Sequence, residues 1–536
     1  MKEQQLQQSD QLMVKVKIAL NNKVVRDTIF RYVGVVNKTI HSSSRILARG
    51  RDMIEDAKRP DTKLMMIGQF AMPLDTFVRY YLPVAETVTQ RVRCQAIEMY
   101  CAHRSAQLDT LLFLIAWANY PIRERNIVDY ACSGGHVAIV QYLLKNNAMA
   151  SKLALDNACS GGSLEIVQLL HTMNKGLSSG SPLNLAATKG HLEICKWLTI
   201  NRKDGCTTSA MDNAASMGYL SVVEFLHTHR KEGCTTLAMT EAASNGHYQV
   251  VKFLHTHRSE GCSSHAMDGA AKNGHLKIVK FLHKHRREGC SSNAIQYAAS
   301  RSDIDMVIFL KHNRTEGYYS NAIMDACKFG SLDIVQLLYP KFESNVLVRE
   351  MAITTCIEYD RFNIFKWLYA TSSIDMSLKF TQDSLEKGAK MGRLDIIQWY
   401  NDNTQGLEGS LDWKNMIKLS AENGRCDIIE WLHKNKKELV WTTYAMDKAA
   451  AIGSIETVVF LHNNRSEGCT TNAMDLAAKN QKLEMCIWLR ENRSEGCTVE
   501  AIRTAFCYNR KPFMDFFKKY YSDTHSSYFD PSFIKK

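Results

Sequence analysis

The sequence predicts an all-α repeat array, a solenoid of short helix pairs preceded by a helical N-terminal cap region. Three stretches superimpose without gaps at a step of 28 residues: AMDNAASMGYLSVVEFLHTHRKEGCTT from Ala210, AMTEAASNGHYQVVKFLHTHRSEGCSS from Ala238 and AMDGAAKNGHLKIVKFLHKHRREGCSS from Ala266. The same step separates two further series of residues: Gly190, Gly218, Gly246 and Gly274, and Cys206, Cys234, Cys262 and Cys290. A fixed period of this length is typical of arrays in which each repeat packs on its neighbours.

Each repeat is expected to contain two helices. The first covers about residues 210–216 and is rich in alanine, and the second covers about residues 220–229. The second carries an apolar stripe at helical spacing, formed by Leu220, Val223, Phe225 and Leu226. Helices of this length are marginal in isolation, so stacking between repeats must supply the stability.

Three positions in the repeat predict how the first helix begins and ends. Thr208 and its equivalents precede the helix and are expected to cap its free N–H groups. Asp212 lies in the first turn, where a carboxylate suits the helix dipole. Gly218 and its equivalents permit the positive φ of a tight turn.

The template extends over about fifteen repeats, of which the first and last are degenerate. The predicted division is a helical non-repeat region at 1–95, a repeat array at 96–520 and a tail at 521–536. Between Tyr339 and Trp431 the step lengthens, which predicts longer loops between those repeats. The N-terminal region is expected to cap the array.

The repeat resembles the ankyrin repeat. Its pattern Ala-Met-Asp-x-Ala-Ala-x-x-Gly-His-Leu-x-Ile-Val-x-x-Leu is similar to the ankyrin pattern Thr-Pro-Leu-His-x-Ala-Ala-x-x-Gly-His, which precedes a Val-Val-x-x-Leu-Leu helix. The likeness covers roughly residues 97–520, and matching positions include Ala214, Ala215, Gly246, His247, Gly274, His275, Val250 and Val251. Alanine replaces the usual proline, and the period is 28 instead of about 33. The hairpin loops between repeats are therefore expected to be short or absent, as in the short repeats of large amoebal ankyrin families.

This resemblance implies a function in binding another protein, on the concave face formed by the first helices. Two positions on that face change chemistry from repeat to repeat, as expected for a partner-binding surface or for exposed positions under little constraint. The candidate partner-binding residues are Asn213, Met217, Glu241, Asn245, Tyr297, Arg301, Asp325 and Phe329.

The net charge of +12 is spread along the chain, with glutamates beside the basic residues. The run His-x-His-Arg-x-Glu-Gly, first seen at His227 to Gly233, either attracts an acidic partner or forms pairs such as Arg230 with Glu232. A nucleic-acid partner is not expected, since no aromatic residues alternate with the charges.

No constellation of residues predicts catalysis, a cofactor or a metal site. The repeated cysteines are interpreted as buried structural thiols. A zinc site could be formed by His255, His257, Cys262 and His265. The equivalent residues of the next repeat lack one ligand, because Asn293 replaces the last histidine. The segment from Gly176 to Gly180 has the Gly-x-Ser-x-Gly sequence of a nucleophile elbow. That motif connects a strand to a helix, whereas this segment lies between helical repeats, so it is not interpreted as a catalytic site.

The sequence therefore predicts a non-enzymatic scaffold that binds a partner protein. The alternative is a substrate-receptor adaptor for a ubiquitin ligase or a similar complex, with residues 1–95 as the docking module. A polar N-terminus and an apolar run of only 11 residues from Thr110 to Tyr120 predict no membrane span and a cytoplasmic protein. The basic cluster from Lys284 to Arg287 is too short to decide between cytoplasm and nucleus, and nothing in the sequence indicates the oligomeric state.

Overall fold

The computed structural model describes residues 89–173, 181–203, 205–317, 319–371, 378–403, 411–507 and 511–522, without the side chains of 378, 379, 506 and 507. These residues form thirty α-helices and no strand. The first sixteen helices are α1 Gln90–Ala102, α2 Leu108–Trp117, α3 Ile127–Gly134, α4 Val137–Lys145, α5 Leu153–Gly161, α6 Leu164–Thr172, α7 Pro182–Thr188, α8 Leu192–Asn201, α9 Ser209–Ser216, α10 Leu220–His229, α11 Thr236–Ser244, α12 Tyr248–His257, α13 His265–Asn273, α14 Leu276–His285, α15 Asn293–Ser300 and α16 Ile304–Asn313. The others are α17 Tyr319–Phe329, α18 Leu332–Leu338, α19 Val346–Glu358, α20 Phe362–Ala370, α21 Leu378–Met391, α22 Leu394–Asn403, α23 Trp413–Glu422, α24 Cys426–Asn435, α25 Tyr444–Ile452, α26 Ile455–Asn464, α27 Asn472–Lys479, α28 Leu483–Asn492, α29 Val499–Cys507 and α30 Lys511–Tyr521. A 3-10 helix, Tyr339–Phe342, follows α18.

The helices form fifteen consecutive pairs, which confirms the all-α repeat fold and the two-helix repeat. The described residues divide into two compact units. Unit 1 contains those up to Met239 and Gln249–Glu260, and unit 2 contains Thr240–Tyr248 and those from Gly261 onward. Helix α1 begins at Gln90, before residue 96, at which the sequence places the start of the array. The predicted N-terminal region otherwise lies outside the described residues, as do most of the predicted tail and the segment from Gly176 to Gly180.

Alanine on the first helices lets neighbouring repeats approach closely. Ala214 and Ala215 on α9 are fully buried, and their equivalents on α13, Ala270 and Ala271, are buried in the same way. First helices contact the first helices of adjacent repeats more extensively than second helices contact second helices, as α25 with α27 and α24 with α26 illustrate in unit 2. The second helices fill the core with Val223 and Leu226 of the predicted stripe and with Val222, which the stripe did not include. Leu220 and Phe225 of the predicted stripe are half-buried.

The turn between the two helices adopts the left-handed conformation that the glycines predict. Gly274 has a φ of 81°, and a Cβ there would lie 2.9 Å from the Nη2 atom of Arg301. Ser302, Asp360 and Gln481 occupy the same turn position without glycine and also have positive φ values, of 58°, 62° and 61°. The backbone geometry of the turn is therefore retained where the glycine is lost.

The predicted side-chain cap of the first helix is wrong by one residue. Thr208, Ser264 and Ser292 occupy the N-cap positions, and none of these side chains accepts a cap hydrogen bond. The preceding residue does so instead, since the Ser291 hydroxyl accepts from the Asn293 N–H at 3.1 Å. The N-cap residue has helical dihedral angles, so its side chain does not reach the free N–H groups.

Asp268 joins adjacent repeats through that same hydroxyl residue. Its carboxylate accepts one bond from the Ser291 N–H at 2.8 Å and one from the Ser291 hydroxyl at 2.6 Å. The same two bonds recur between Asp129 and Ser151, Asp212 and Thr235, Asp447 and Thr470, and Asp475 and Thr498. The repeated aspartate therefore stabilises the stacking of repeats, besides lying in the first turn of its helix.

The longer step between Tyr339 and Trp431 also lengthens the first helices. Helices α19 and α21 have 13 and 14 residues, whereas α9, α11 and α13 have 8, 9 and 9. The extra residues thus lie partly in helices, and the predicted loop insertions do not account for all of them.

Candidate protein-binding surface

The basic run of each repeat forms the predicted arginine–glutamate pairs. Arg230 pairs with Glu232 in unit 1 at 2.5 Å, and Arg286 pairs with Glu288 in unit 2. All of these side chains are half-buried, and equivalent pairs join Arg258 to Glu260, Arg314 to Glu316, Arg465 to Glu467 and Arg493 to Glu495. Each pair is internally neutral, so these residues add no net positive charge to this edge of the array.

The glutamate of each pair also binds the loop of the preceding repeat. Glu288 accepts a hydrogen bond from the Cys262 N–H at 3.2 Å, and Glu232 accepts one from the Cys206 N–H at 3.4 Å. Burial on its own raises the pKa of Glu288, but hydrogen bonds from Arg286 and from backbone N–H groups outweigh it and lower the pKa to about 2. The pair is therefore a structural link between repeats and is worth more than an exposed ion pair.

Replacing Glu288 with glutamine is expected to destabilise the array most at neutral pH. A carboxylate with a lowered pKa stabilises the fold above its unfolded pKa, about 4.3, and that contribution is lost as the pH falls toward the folded value. The difference in melting temperature between Glu288→Gln and the parent should therefore shrink from about pH 7 to about pH 3. The control is Glu484→Gln, at an exposed position on α28. A difference for Glu288→Gln that is equal at both pH values would show that its charge is not responsible.

The histidines of the basic run pack on aromatic rings. In unit 1, the ring of His227 lies edge-on to Phe253 of the next repeat at 5.6 Å, and in unit 2 His283 meets Phe309 in the same way at 5.5 Å. The second histidine of the run, His229, stacks on Phe225 and bonds through Nδ1 to its carbonyl oxygen at 3.0 Å. Packing thus accounts for the repetition of these histidines.

The repeated cysteines are thiols with little exposure. Cys234, Cys262 and Cys290 are buried and form no disulfide. Burial is the main reason why the pKa of Cys262 is raised to about 11, so this thiol is not a reactive nucleophile near neutral pH. The set of His255, His257, Cys262 and His265, which the sequence disfavours as a zinc site, lies in the same repeats. The part of the chain that the structure describes holds no cluster of three potential metal ligands.

The eight candidate residues all lie on first helices or directly after them. Asn213 lies on α9 and Met217 directly after it, both in unit 1, and the other six candidates lie in unit 2. Tyr297 and Asp325 are half-buried, and the remaining candidates are exposed: Asn213, Met217, Glu241, Asn245, Arg301 and Phe329. Helices α15 and α17 pack against each other, and on them Tyr297 and Asp325 hold equivalent positions, as do Arg301 and Phe329.

These positions continue onto α19 and α21, where the sequence analysis named no residue. Phe329, Tyr359 and Met391 each precede the turn of their repeat, and their side chains are 48%, 41% and 37% exposed. We call these three residues the apolar row. Helix α19 adds Leu347 and Met351, which are 65% and 50% exposed, to the same face.

Tyr359 is not among the residues named from the sequence, because a constant step of 28 residues from Phe329 leads to Ile357 instead. Ile357 is fully buried. The observed steps are 30 residues from Phe329 to Tyr359 and 32 from Tyr359 to Met391. The residue before each positive-φ turn is the better guide to equivalent positions in successive repeats, because the turn keeps its positive φ.

Cations border the apolar row, and the nearby acids have partners. The ammonium group of Lys328 lies 5.6 Å from the ring centre of Phe329 and 5.0 Å from that of Tyr359, and Lys390 beside Met391 is exposed. Lys387 pairs with Glu358 at 2.6 Å, and Arg393 pairs with Asp360 at 3.3 Å. The row is therefore an apolar surface with a positive margin.

A family profile described as "Ankyrin repeats (3 copies)" matches residues 155–236, 183–268, 239–321 and 267–350. Residues 155–350 of the chain are therefore ankyrin repeats. Ankyrin repeats act in protein–protein interaction, and ankyrin-repeat proteins are typically scaffolds without catalytic activity. The matched region reaches into α19, and the helix pairs continue beyond it to α30.

No curated protein shows significant similarity to this chain. Among the residues described, no helix has the length and apolar character needed to cross a lipid bilayer.

Proposed function

We propose that this protein binds a partner protein through exposed side chains of its first helices. In unit 2 the proposed contact is the apolar row with Leu347 and Met351 of α19. The observation that carries this proposal is the exposure of large apolar side chains at one position of three consecutive repeats. Exposed apolar side chains that cluster on one face are typical of protein-interaction sites. Asn213 and Met217 are proposed as partner contacts within unit 1, and Glu241 and Asn245 as polar partner contacts within unit 2.

The proposed partner surface is apolar at its centre and acidic at its edge. The exposed cations around the row, Arg301 and Lys390 with half-buried Lys328, favour carboxylates at matching positions of the partner. The two aromatic residues of the row, Phe329 and Tyr359, also suit contact with a protein. Phenylalanine and tyrosine side chains supply a large contact area at little cost in conformational entropy.

Replacing the row with Phe329→Ser, Tyr359→Ser and Met391→Ser is expected to reduce capture of partner proteins from cell extract at least tenfold, since each large interface side chain contributes about 1–2 kcal/mol. The matched control carries Ile200→Ser, Ile308→Ser and Ile487→Ser, which remove exposed apolar residues from second helices. Quantitative mass spectrometry compares the captured proteins, and circular dichroism checks that both variants are folded. Equal capture by the two variants would place the binding surface elsewhere.

The adaptor alternative rests on residues 1–95, of which 1–88 lie outside the described residues, and it stays a prediction. Capture with the full chain and with residues 89–536 separates it from the scaffold proposal. Loss of ligase subunits from the shorter chain would support an adaptor, and unchanged capture would support a scaffold.

A further inference from the structure

The junction between first helices α23 and α25 lacks the aspartate of the inter-repeat hydrogen bonds. That aspartate precedes the turn residue of its repeat by six positions, as Asp447 precedes Gly453, and on α23 the same position holds Lys418. The hydroxyl residue of the junction is retained as Thr442, which lies three residues before Ala445, the first buried alanine of α25. This junction therefore keeps the two hydrogen-bond donors and has a cation in place of their acceptor.

The two donors of Thr442 have no acceptor within the part of the chain that the structure describes. Neither its N–H nor its hydroxyl group donates to a described residue, and the residue is exposed. In the five junctions that have the aspartate, the same two groups bind one carboxylate, as Ser291 binds Asp268. Thr442 thus presents to solvent the pair of donors that binds a carboxylate elsewhere in the chain.

A groove of about 340 Å³ lies at this junction, within unit 2. Lys414 and Lys418 of α23 line it on one side, and Trp441 and Thr442 of the loop before α25 line it on the other. Val440, another lining residue, is 69% exposed. The groove therefore combines the free donors of Thr442 with two lysines and with apolar side chains.

Positive charge predominates in the groove. Asp412 is the acidic residue of the lining, and its carboxylate already caps α23 by accepting from the Asn415 N–H at 3.0 Å. The ammonium group of Lys418 lies 5.7 Å from the ring centre of Tyr444, and that of Lys448 lies 5.1 Å from the same ring. Three lysines thus stand against one aspartate, which favours an acidic occupant.

We propose that this groove binds an aspartate or glutamate side chain of an acidic partner protein. The carboxylate accepts from the N–H and hydroxyl groups of Thr442 and pairs with Lys418, so it takes the place that Asp268 and its equivalents hold within the chain. A protein segment suits the groove because exposed Val440 and the ring of Trp441 offer apolar contact to the residues beside the acid.

This groove is a separate site from the apolar row. It lies at the beginning of α25, whereas the residues of the row lie at the ends of α17, α19 and α21. The inference therefore goes beyond the function proposed above and does not depend on it. Loss of partner capture in the apolar-row variant leaves this site unaffected.

Binding of fluorescently labelled hexaglutamate to the full chain, followed by anisotropy in about 20 mM sodium chloride, tests the proposal. Hexaglutamine with the same label is the control peptide, and it is expected to bind at least about tenfold more weakly. Equal affinity for the two peptides would overturn the proposal. Free glutarate is added as a competitor, and displacement of the peptide at equimolar glutarate would also overturn it, because the groove would then be a small-molecule site.

Three variants show whether binding belongs to this groove. Lys418→Asp restores the aspartate of the other junctions, so it should weaken hexaglutamate binding about tenfold and raise the melting temperature. Lys434→Asp makes the same change of charge at an exposed position of α24 and should weaken binding less than about twofold. Thr442→Val removes the hydroxyl donor without a change of charge and should weaken binding about threefold. Equal losses in the two lysine variants, or unchanged binding in Thr442→Val, would overturn the proposal.

Discussion

Replacing Phe365 with alanine is expected to cost about 3–5 kcal/mol of folding free energy, the usual loss for a buried phenylalanine. Phe365 lies on α20 and is fully buried. Its ring centre lies 4.9 Å from that of Tyr369, 5.2 Å from that of Trp399 and 5.6 Å from that of Tyr400. Alanine would remove the contacts with all three rings and leave a cavity between two repeats.

Hydrogen exchange is the suitable measurement, because a repeat array can unfold locally. Protection of α19 to α22 is expected to fall by orders of magnitude in Phe365→Ala, with smaller changes far along the array. The control is Phe362→Ala on the same helix, where the side chain is half-buried and the expected loss is about 1 kcal/mol. Equal loss of protection in both variants would contradict the assigned packing.

Replacing Asp268 with alanine is expected to cost about 2–4 kcal/mol, since two charge-assisted hydrogen bonds are lost. The Ser291 N–H and hydroxyl would lose their acceptor at a largely buried junction between α13 and α15. The effect should exceed that of Asp305→Ala, because Asp305 is exposed on α16. Chemical denaturation with a probe in unit 2 measures both.

The chain itself contains a matched control for this prediction. Asn184 takes the aspartate position in an earlier repeat, where its Oδ1 accepts from the Thr207 N–H at 3.1 Å and its Nδ2 donates to the Thr207 hydroxyl at 2.9 Å. Asp268→Asn should therefore retain both bonds in weaker form and lose less stability than Asp268→Ala. If the two substitutions cost the same, these hydrogen bonds do not hold the junction.

The helix pairs could be predicted from the sequence because their signals are local. The alanines at 214 and 215, the apolar stripe and the turn glycine all lie within one repeat, and each acts through its own backbone or its nearest helix. The bond from Asp268 to Ser291 could not be predicted in this way, since it joins residues 23 positions apart across a junction. The interaction of a first-turn carboxylate with the helix dipole already explains the aspartate, so nothing local indicates its bond to the next repeat.

The sequence names candidate residues only where the 28-residue step holds. Phe329 lies in register and is among them. Tyr359 and Met391 are not, because insertions lengthen the next two steps by 2 and 4 residues.

Photo-cross-linking from position 359 tests most directly whether the proposed first-helix face of unit 2 holds the partner. Tyr359 is replaced by a benzophenone amino acid in the full chain, and a second protein carries the same group at Ile308, an exposed residue of second helix α16. A discrete cross-linked partner is expected from position 359 and none from position 308. Cross-linking to the same partner from position 308 alone, or equally from both positions, would contradict it.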